Sequence, residues 1–160
     1  MNLYMAAMTR EAAASFDFGD DSEDGDAFEA AMSVFSSDEG LEVDKAWDAV
    51  NAILNVDLPD HGPFWAGEAV TEDLGYGPAL FASADDVRGI AARLSGLTEA
   101  EVGRRFDTAL AADALGYPGV WDRADEAADN KLWVIDATMQ VIALYERAAV
   151  NALGMFAMLL

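Results

Sequence analysis

Residues 78–96 read Pro78-Ala79-Leu80-Phe81-Ala82-Ser83-Ala84-Asp85-Asp86-Val87-Arg88-Gly89-Ile90-Ala91-Ala92-Arg93-Leu94-Ser95-Gly96. The run Pro78 to Ala82 has the length and apolar character of a strand. Pro78 lacks an N–H, which predicts that it starts an edge strand. Ser83 stands three residues before Asp86, the spacing at which hydroxyl and carboxylate cap a helix start reciprocally. Val87, Ile90, Ala91 and Leu94 then share one face at the helical period, and Gly96 stops the helix. A strand feeding an amphipathic helix thus lies at mid-chain.

On the C-terminal side, Thr98 and Glu101 repeat the capping spacing and open a helix through Val102 to Phe106. Gly116-Tyr117-Pro118-Gly119 is a turn. A long helix is predicted from near Asp125 to near Asn151, with the stripe Val134, Ala137, Val141, Leu144, Tyr145 and Ala148, closed by Gly154. Met155 to Leu160 has strand character and can pair with a strand at Leu3 to Met8. Thr9 caps a helix with Glu11 in its first turn. Phe28 to Phe35 has helical spacing and ends at Ser36-Ser37, and Asp44 is placed to cap a helix carrying Trp47, Val50 and Leu54. Pro59 and Gly62-Pro63 then enforce an irregular stretch. The expected fold is α+β, with several helices on a small, mostly antiparallel sheet that includes the N- and C-terminal strands, in one domain over residues 1–160.

Thirty Asp and Glu oppose nine Lys and Arg, a formal net charge of -21. That balance excludes nucleic-acid binding by phosphate neutralisation and docking on anionic membrane. The absence of cysteine excludes disulfides, thiolate metal sites and cysteine nucleophiles, and a single histidine excludes any site needing two. The apolar run Ala148 to Leu160 is shorter than the roughly 18 residues a membrane helix needs, and no secretory signal is visible, so the expected compartment is the cytoplasm. The acidity has two readings. One is compositional, since Ala, Gly, Asp and Val are plentiful and Lys occurs only at 45 and 131. The other is a negative face that steers a basic partner.

Asp17, Asp20, Asp21, Glu23, Asp24 and Asp26 form the densest acidic run, read as a solvated loop. A calcium loop starting at Asp20 needs a bidentate Glu at its twelfth position, where Ala31 stands. No metal site is assigned.

Three ordered segments carry a family resemblance: Val43-Asp44-Lys45-Ala46-Trp47-Asp48; Asp73-Leu74-Gly75-Tyr76-Gly77-Pro78-Ala79; and Phe106-Asp107 with, further on, Tyr117-Pro118-Gly119-Val120-Trp121. Together they resemble the YfbM-like family, a bacterial domain of unknown function, over roughly residues 41–150. The resemblance implies an α+β domain with helices around a small sheet, and it brings no activity or catalytic residue. This chain has Leu80 where the family often has Arg, and Asn51 where it often has His.

His61, beside Asp57 and Asp60, is placed to act as a general base or to be a plain surface residue. No nucleophile motif accompanies it. Gly75-Tyr76-Gly77-Pro78 lacks phosphate-loop spacing and a Lys after it, so its glycines are read as turn residues with positive φ. Tyr76, Trp65 and Trp121 lie in turns, where a large ring serves as a lid on the core or as a pocket wall. Asp73, Tyr76, Trp121 and Asp122 are the candidate ligand-pocket residues, while Trp47 and Trp133 are read as core. No catalytic residue and no cofactor is assigned. The expected function is a non-enzymatic acidic module for a basic protein partner, of inhibitor or immunity type. The alternative is a small-molecule-binding protein or enzyme with a pocket at the Gly75–Pro78 and Gly116–Trp121 turns.

Overall fold

The structure, a computed structural model, is described for residues 1–16, 32–58 and 62–160. Its elements run β1 (Leu3–Met8), α1 (Arg10–Ala13), β2 (Gly40–Asp44), α2 (Trp47–Leu54), β3 (Glu68–Asp73), β4 (Pro78–Ala82), α3 (Ala84–Leu94), α4 (Glu99–Ala111), α5 (Ala127–Val150) and β5 (Gly154–Leu159). The strands form one sheet in the order β2-β1-β5-β4-β3, with every neighbouring pair antiparallel. The fold is α+β, and the strands nearest the two chain ends lie side by side within it. Asn2 and Leu160 exchange main-chain hydrogen bonds at 2.6 and 3.0 Å.

The sheet alternates as the pleat requires. Leu3, Met5 and Ala7 of β1 and Met155, Ala157 and Leu159 of β5 join the core beneath α2 to α5. Ala6, Met8, Phe156 and Met158 face the opposite side, with Ala79 and Phe81 of β4, under Phe35 and Ala13. All six residues of β5 are buried. A strand covered on both faces reads as a continuous apolar run, which is why Met155 to Leu160 has such plain strand character.

The helices form where their caps predict. Thr9 accepts the Ala12 N–H, and Ser83 and Asp86 close a full capping box. Val87, Ile90, Ala91 and Leu94 are all buried, as is the whole predicted stripe of α5. At roughly 1.5 Å per residue, the 24 residues of α5 span the domain. They pack on α2, α3 and α4 and on three strands. Buried Tyr145 of α5 donates its hydroxyl to the Pro63 carbonyl and so ties the 62–66 segment to the core.

Four local expectations are corrected. Asp44 does not cap α2: it ends β2 at φ 51, and the N-cap is Ala46, which has no capping side chain. Thr98 caps α4, but Glu101 does not reciprocate, because its carboxylate binds Arg104 and Arg105. Gly154 begins β5, and the turn after α5 is made by Ala152 at φ 52. Pro78 does not start an edge strand, since β4 lies between β5 and β3. As the first residue of β4 it leaves the ladder intact. The edges are β2 and β3, neither of which the sequence pattern predicts. The acidic run 17–26, the calcium alignment ending at Ala31 and His61 lie outside the described residues. Of the predicted helix ending at Ser36-Ser37, residues 32–35 are helical, and both serine hydroxyls bond back to main-chain carbonyls.

Candidate functional site

Two places collect the motif residues. The first is the start of α2. Asp48 sits in the first helical turn, and its Oδ2 accepts the N–H groups of Gly116 and Tyr117 at 3.0 and 2.8 Å. Successive N–H groups converging on one oxygen make a strong electrostatic clamp. Tyr117 stacks on Trp47, with centroids 6.0 Å apart at 28°, and Trp65 meets Trp47 edge-on at the same distance. The Trp47-Asp48 and Tyr117-Pro118-Gly119 motifs are therefore two halves of one contact. Tyr117-Pro118 is a cis peptide. Val120 is held in turn, its carbonyl accepting from Asn130 Nδ2 at 3.0 Å.

The same face of α2 carries Asn51 and Asn55, four and eight residues after Trp47. Gly62, at φ 49, lies directly against them: a Cβ there would stand 2.8 Å from Asn51 Oδ1 and 2.3 Å from Asn55 Oδ1. Trp47 Nε1, Asn51 Oδ1, Asn55 Oδ1 and Trp121 Nε1 are buried with no hydrogen-bond partner among the described residues. Buried polar atoms are almost always satisfied, so four orphans, three of them on one helix face, are an unusual concentration.

The second place is the β3–β4 hairpin. Asp73 Oδ1 accepts the N–H groups of Gly75 and Gly77 at 2.7 and 3.0 Å, and the Leu74 N–H bonds the Gly77 carbonyl at 3.0 Å. Both glycines sit at φ 104 with nothing within 4 Å of a Cβ position, so backbone conformation alone requires them. Tyr76, between them, is 59% exposed.

The four predicted pocket residues separate accordingly. Asp73 and Tyr76 share the hairpin tip. Trp121 is 2% exposed and belongs to the core on the helical face, against Phe106 and Trp133. Asp122 is exposed beside it, and its neighbour Arg123 pairs with Glu126. No ring contact joins Tyr76 to Trp121 among the described residues. Trp133, like Trp47, is half-buried against the core. The meeting of Asp48 with Tyr117, and of Gly62 with Asn51 and Asn55, goes unpredicted by the motifs. The i, i+4, i+8 spacing from Trp47 is the signal available for the two asparagines sharing its face.

One cross-helix ion cluster lies nearby. Arg105 reaches Asp57 at 2.6 Å, Glu101 at 3.0 Å and the Ile53 carbonyl at 3.3 Å. Burial works against its charge, but the bonds to Asp57 and Glu101 outweigh that and raise its pKa. Among the described residues, no group of three metal-ligating side chains occurs, and no helix is long and apolar enough to cross a membrane.

The fold is similar to that of the protein of unknown function YfbM from Escherichia coli, with 15% identity, 100% of each chain covered and a TM-score of 0.56. The chain matches no curated protein. The family model for the domain of unknown function DUF1877 matches residues 4–158, nearly the whole length, and bears out the YfbM-like resemblance. The chain belongs to this DUF1877 family.

Proposed function

We propose that the chain is a cytoplasmic, non-enzymatic binding module whose acidic surface engages a basic protein partner, as an inhibitor or immunity-type protein does. The supporting observation is how its few cations are used. Arg10, Arg88, Arg104, Arg105, Arg123 and Lys131 are committed to ion pairs within the chain. Arg93 and Arg147 donate to the main-chain carbonyls of Asp57 and Asp38. Exposed Glu11, Glu72, Asp122, Asp125, Asp129 and Glu146 have no ion-pair partner among the described residues. An incoming basic surface meets an uncompensated negative field, which speeds encounter and repels acidic competitors.

The test is retention of proteins from an extract of the source cells on the immobilised chain. Raising salt from roughly 0.1 M to roughly 1 M shortens the screening length from about 10 Å to about 3 Å. The reading expects a stoichiometric basic protein held at low salt and released at high salt. Retention of nothing basic at low salt refutes it.

A small-molecule site is the second reading, favoured by the unpartnered Trp47 Nε1, Asn51 Oδ1 and Asn55 Oδ1 beside half-exposed Trp65. Saturable tryptophan fluorescence change in a metabolite screen supports it, and a flat response throughout refutes it.

A further inference from the structure

We propose that the solvent face of α5 is a self-association surface, on which a second copy of this chain lays its own α5 antiparallel, about a two-fold axis level with Val141. The proposal goes beyond the basic-partner reading and does not depend on it. A helix at the surface of a domain ordinarily turns polar residues outward. On α5, Val134, Val141, Tyr145 and Ala148 fill the inner face and are buried. Leu132, Met139, Ala143 and Val150 lie on the opposite face, the last three 7, 11 and 18 residues after the first. Those spacings are close to whole turns of a helix, so the four side chains line up. Leu132 is 63% exposed and Val150 is 85% exposed. Met139 and Ala143, between them, are half-buried. The stripe runs for about 27 Å, and a contiguous apolar strip at the surface marks an interaction site.

The order of its residues names the occupant. Leu132 and Val150 stand equally far on either side of Val141, and so do Met139 and Ala143. Reversing the helix about Val141 therefore sets Leu132 on the partner's Val150 and Met139 on the partner's Ala143. The ends meet apolar on apolar, and the middle meets large on small, which lets two helices interdigitate. A two-fold contact needs such self-complementarity. The flanks agree. In an antiparallel two-fold pair each flank meets the same flank of the other copy. Asp136 and Arg147 share one flank, and reversal brings Asp136 to within about 1.5 Å, along the axis, of the level of the partner's Arg147. Arg147 donates to the Asp38 carbonyl at 3.3 Å and pairs with no carboxylate among the described residues. Asp136 accepts from Gln140 and has no cation among those residues. Glu146, on the other flank, comes level with the partner's Ile135 and not with a carboxylate. Repulsion between two chains of net charge -21 opposes the contact. Association therefore strengthens as salt rises, opposite in sign to capture of a basic protein.

Sedimentation equilibrium of the whole chain, from about 10 µM to about 1 mM, tests this. In roughly 1 M salt the expected result is a monomer–dimer equilibrium with a dissociation constant on the order of 100 µM, as suits a single helix pair. In roughly 0.1 M salt it weakens at least about threefold. Leu132→Glu and Val150→Glu, both at exposed positions, each weaken it at least about tenfold by setting a carboxylate against an apolar side chain. Val56→Glu, at a residue 65% exposed outside α5, leaves it unchanged. Asp136→Arg and Arg147→Asp each weaken it about threefold, and the two together restore it. A chain that stays monomeric at about 1 mM in roughly 1 M salt overturns the proposal. So does a dimer indifferent to Leu132→Glu and Val150→Glu, or one that the paired charge exchange does not restore.

Discussion

Tyr145→Phe removes one oxygen from the centre of the domain and leaves the ring in place. Tyr145 is fully buried on α5, and its hydroxyl donates to the Pro63 carbonyl. Near pH 7 the substitution leaves that carbonyl without its donor, a loss of about 1–2 kcal/mol of stability. The stronger test lies at alkaline pH. Burial raises the Tyr145 pKa well above its ordinary value of 10.0, which the unfolded chain retains. Below pH 10 the phenol is protonated in both states and contributes no slope. Above pH 10 the unfolded state has released a proton that the folded state keeps. The unfolded state then binds fewer protons, and wild-type stability falls by about 1.4 kcal/mol per pH unit. Phenylalanine has no proton to lose, so the variant escapes this loss. Near pH 11 its deficit of about 1–2 kcal/mol is expected to shrink to about zero. Urea unfolding of both proteins between pH 7 and pH 11 measures the difference directly, because other titrating groups are common to the pair. A difference that stays constant across this range refutes the burial argument.

Three further outcomes are expected. Gly67→Ala puts a Cβ 2.1 Å from the Phe81 carbonyl oxygen at φ 98 and is expected to cost about 2–4 kcal/mol in urea unfolding; Gly75→Ala, with the same sign of φ but open space, costs only about 1 kcal/mol. Arg105→Met leaves the partly buried Asp57 carboxylate without its cation, while Glu101 keeps Arg104, and lowers stability by about 1–2 kcal/mol. The equivalent change at Arg104, whose side chain is 72% exposed, leaves the unfolding midpoint unmoved. Asn51→Leu breaks no hydrogen bond at Oδ1, so calorimetry is expected to find the melting temperature unchanged or higher. A clear drop would show that the amide oxygen has a partner in solution.

The sequence makes legible those elements whose burial leaves a simple imprint. β1 and β5 read as strands because their residues are apolar on both faces. α3 and α5 read as helices because one apolar stripe is paired with a cap or with great length. β2 and β3 are invisible for the converse reason. Gly40-Leu41-Glu42-Val43-Asp44 and Glu68-Ala69-Val70-Thr71-Glu72-Asp73 lie at the two edges and are rich in carboxylates. Charge at an edge protects against stray pairing and erases the alternation that marks a half-buried strand. The candidate site is legible in parts only. Tyr76 and Trp121 both fall in turns, as expected, but nothing local says that one ring points to solvent and the other packs on Phe106. The reach of Asp48 to Gly116 and Tyr117 crosses 68 residues and leaves no periodic trace.

The placement of β5 between β1 and β4 governs the order in which this chain can assemble as it is synthesised. Until residue 159 has emerged, the nascent chain holds two separate ribbons, β2-β1 and β4-β3, with no strand to bridge them. Two-stranded ribbons are marginal on their own in water. The contact from Leu3 to Leu159 spans nearly the full length, and such distant pairings slow folding and expose apolar surface in the meantime. A translation product that stops short of β5 therefore lacks the middle of its sheet, and quality control would meet it as an open hydrophobic slot.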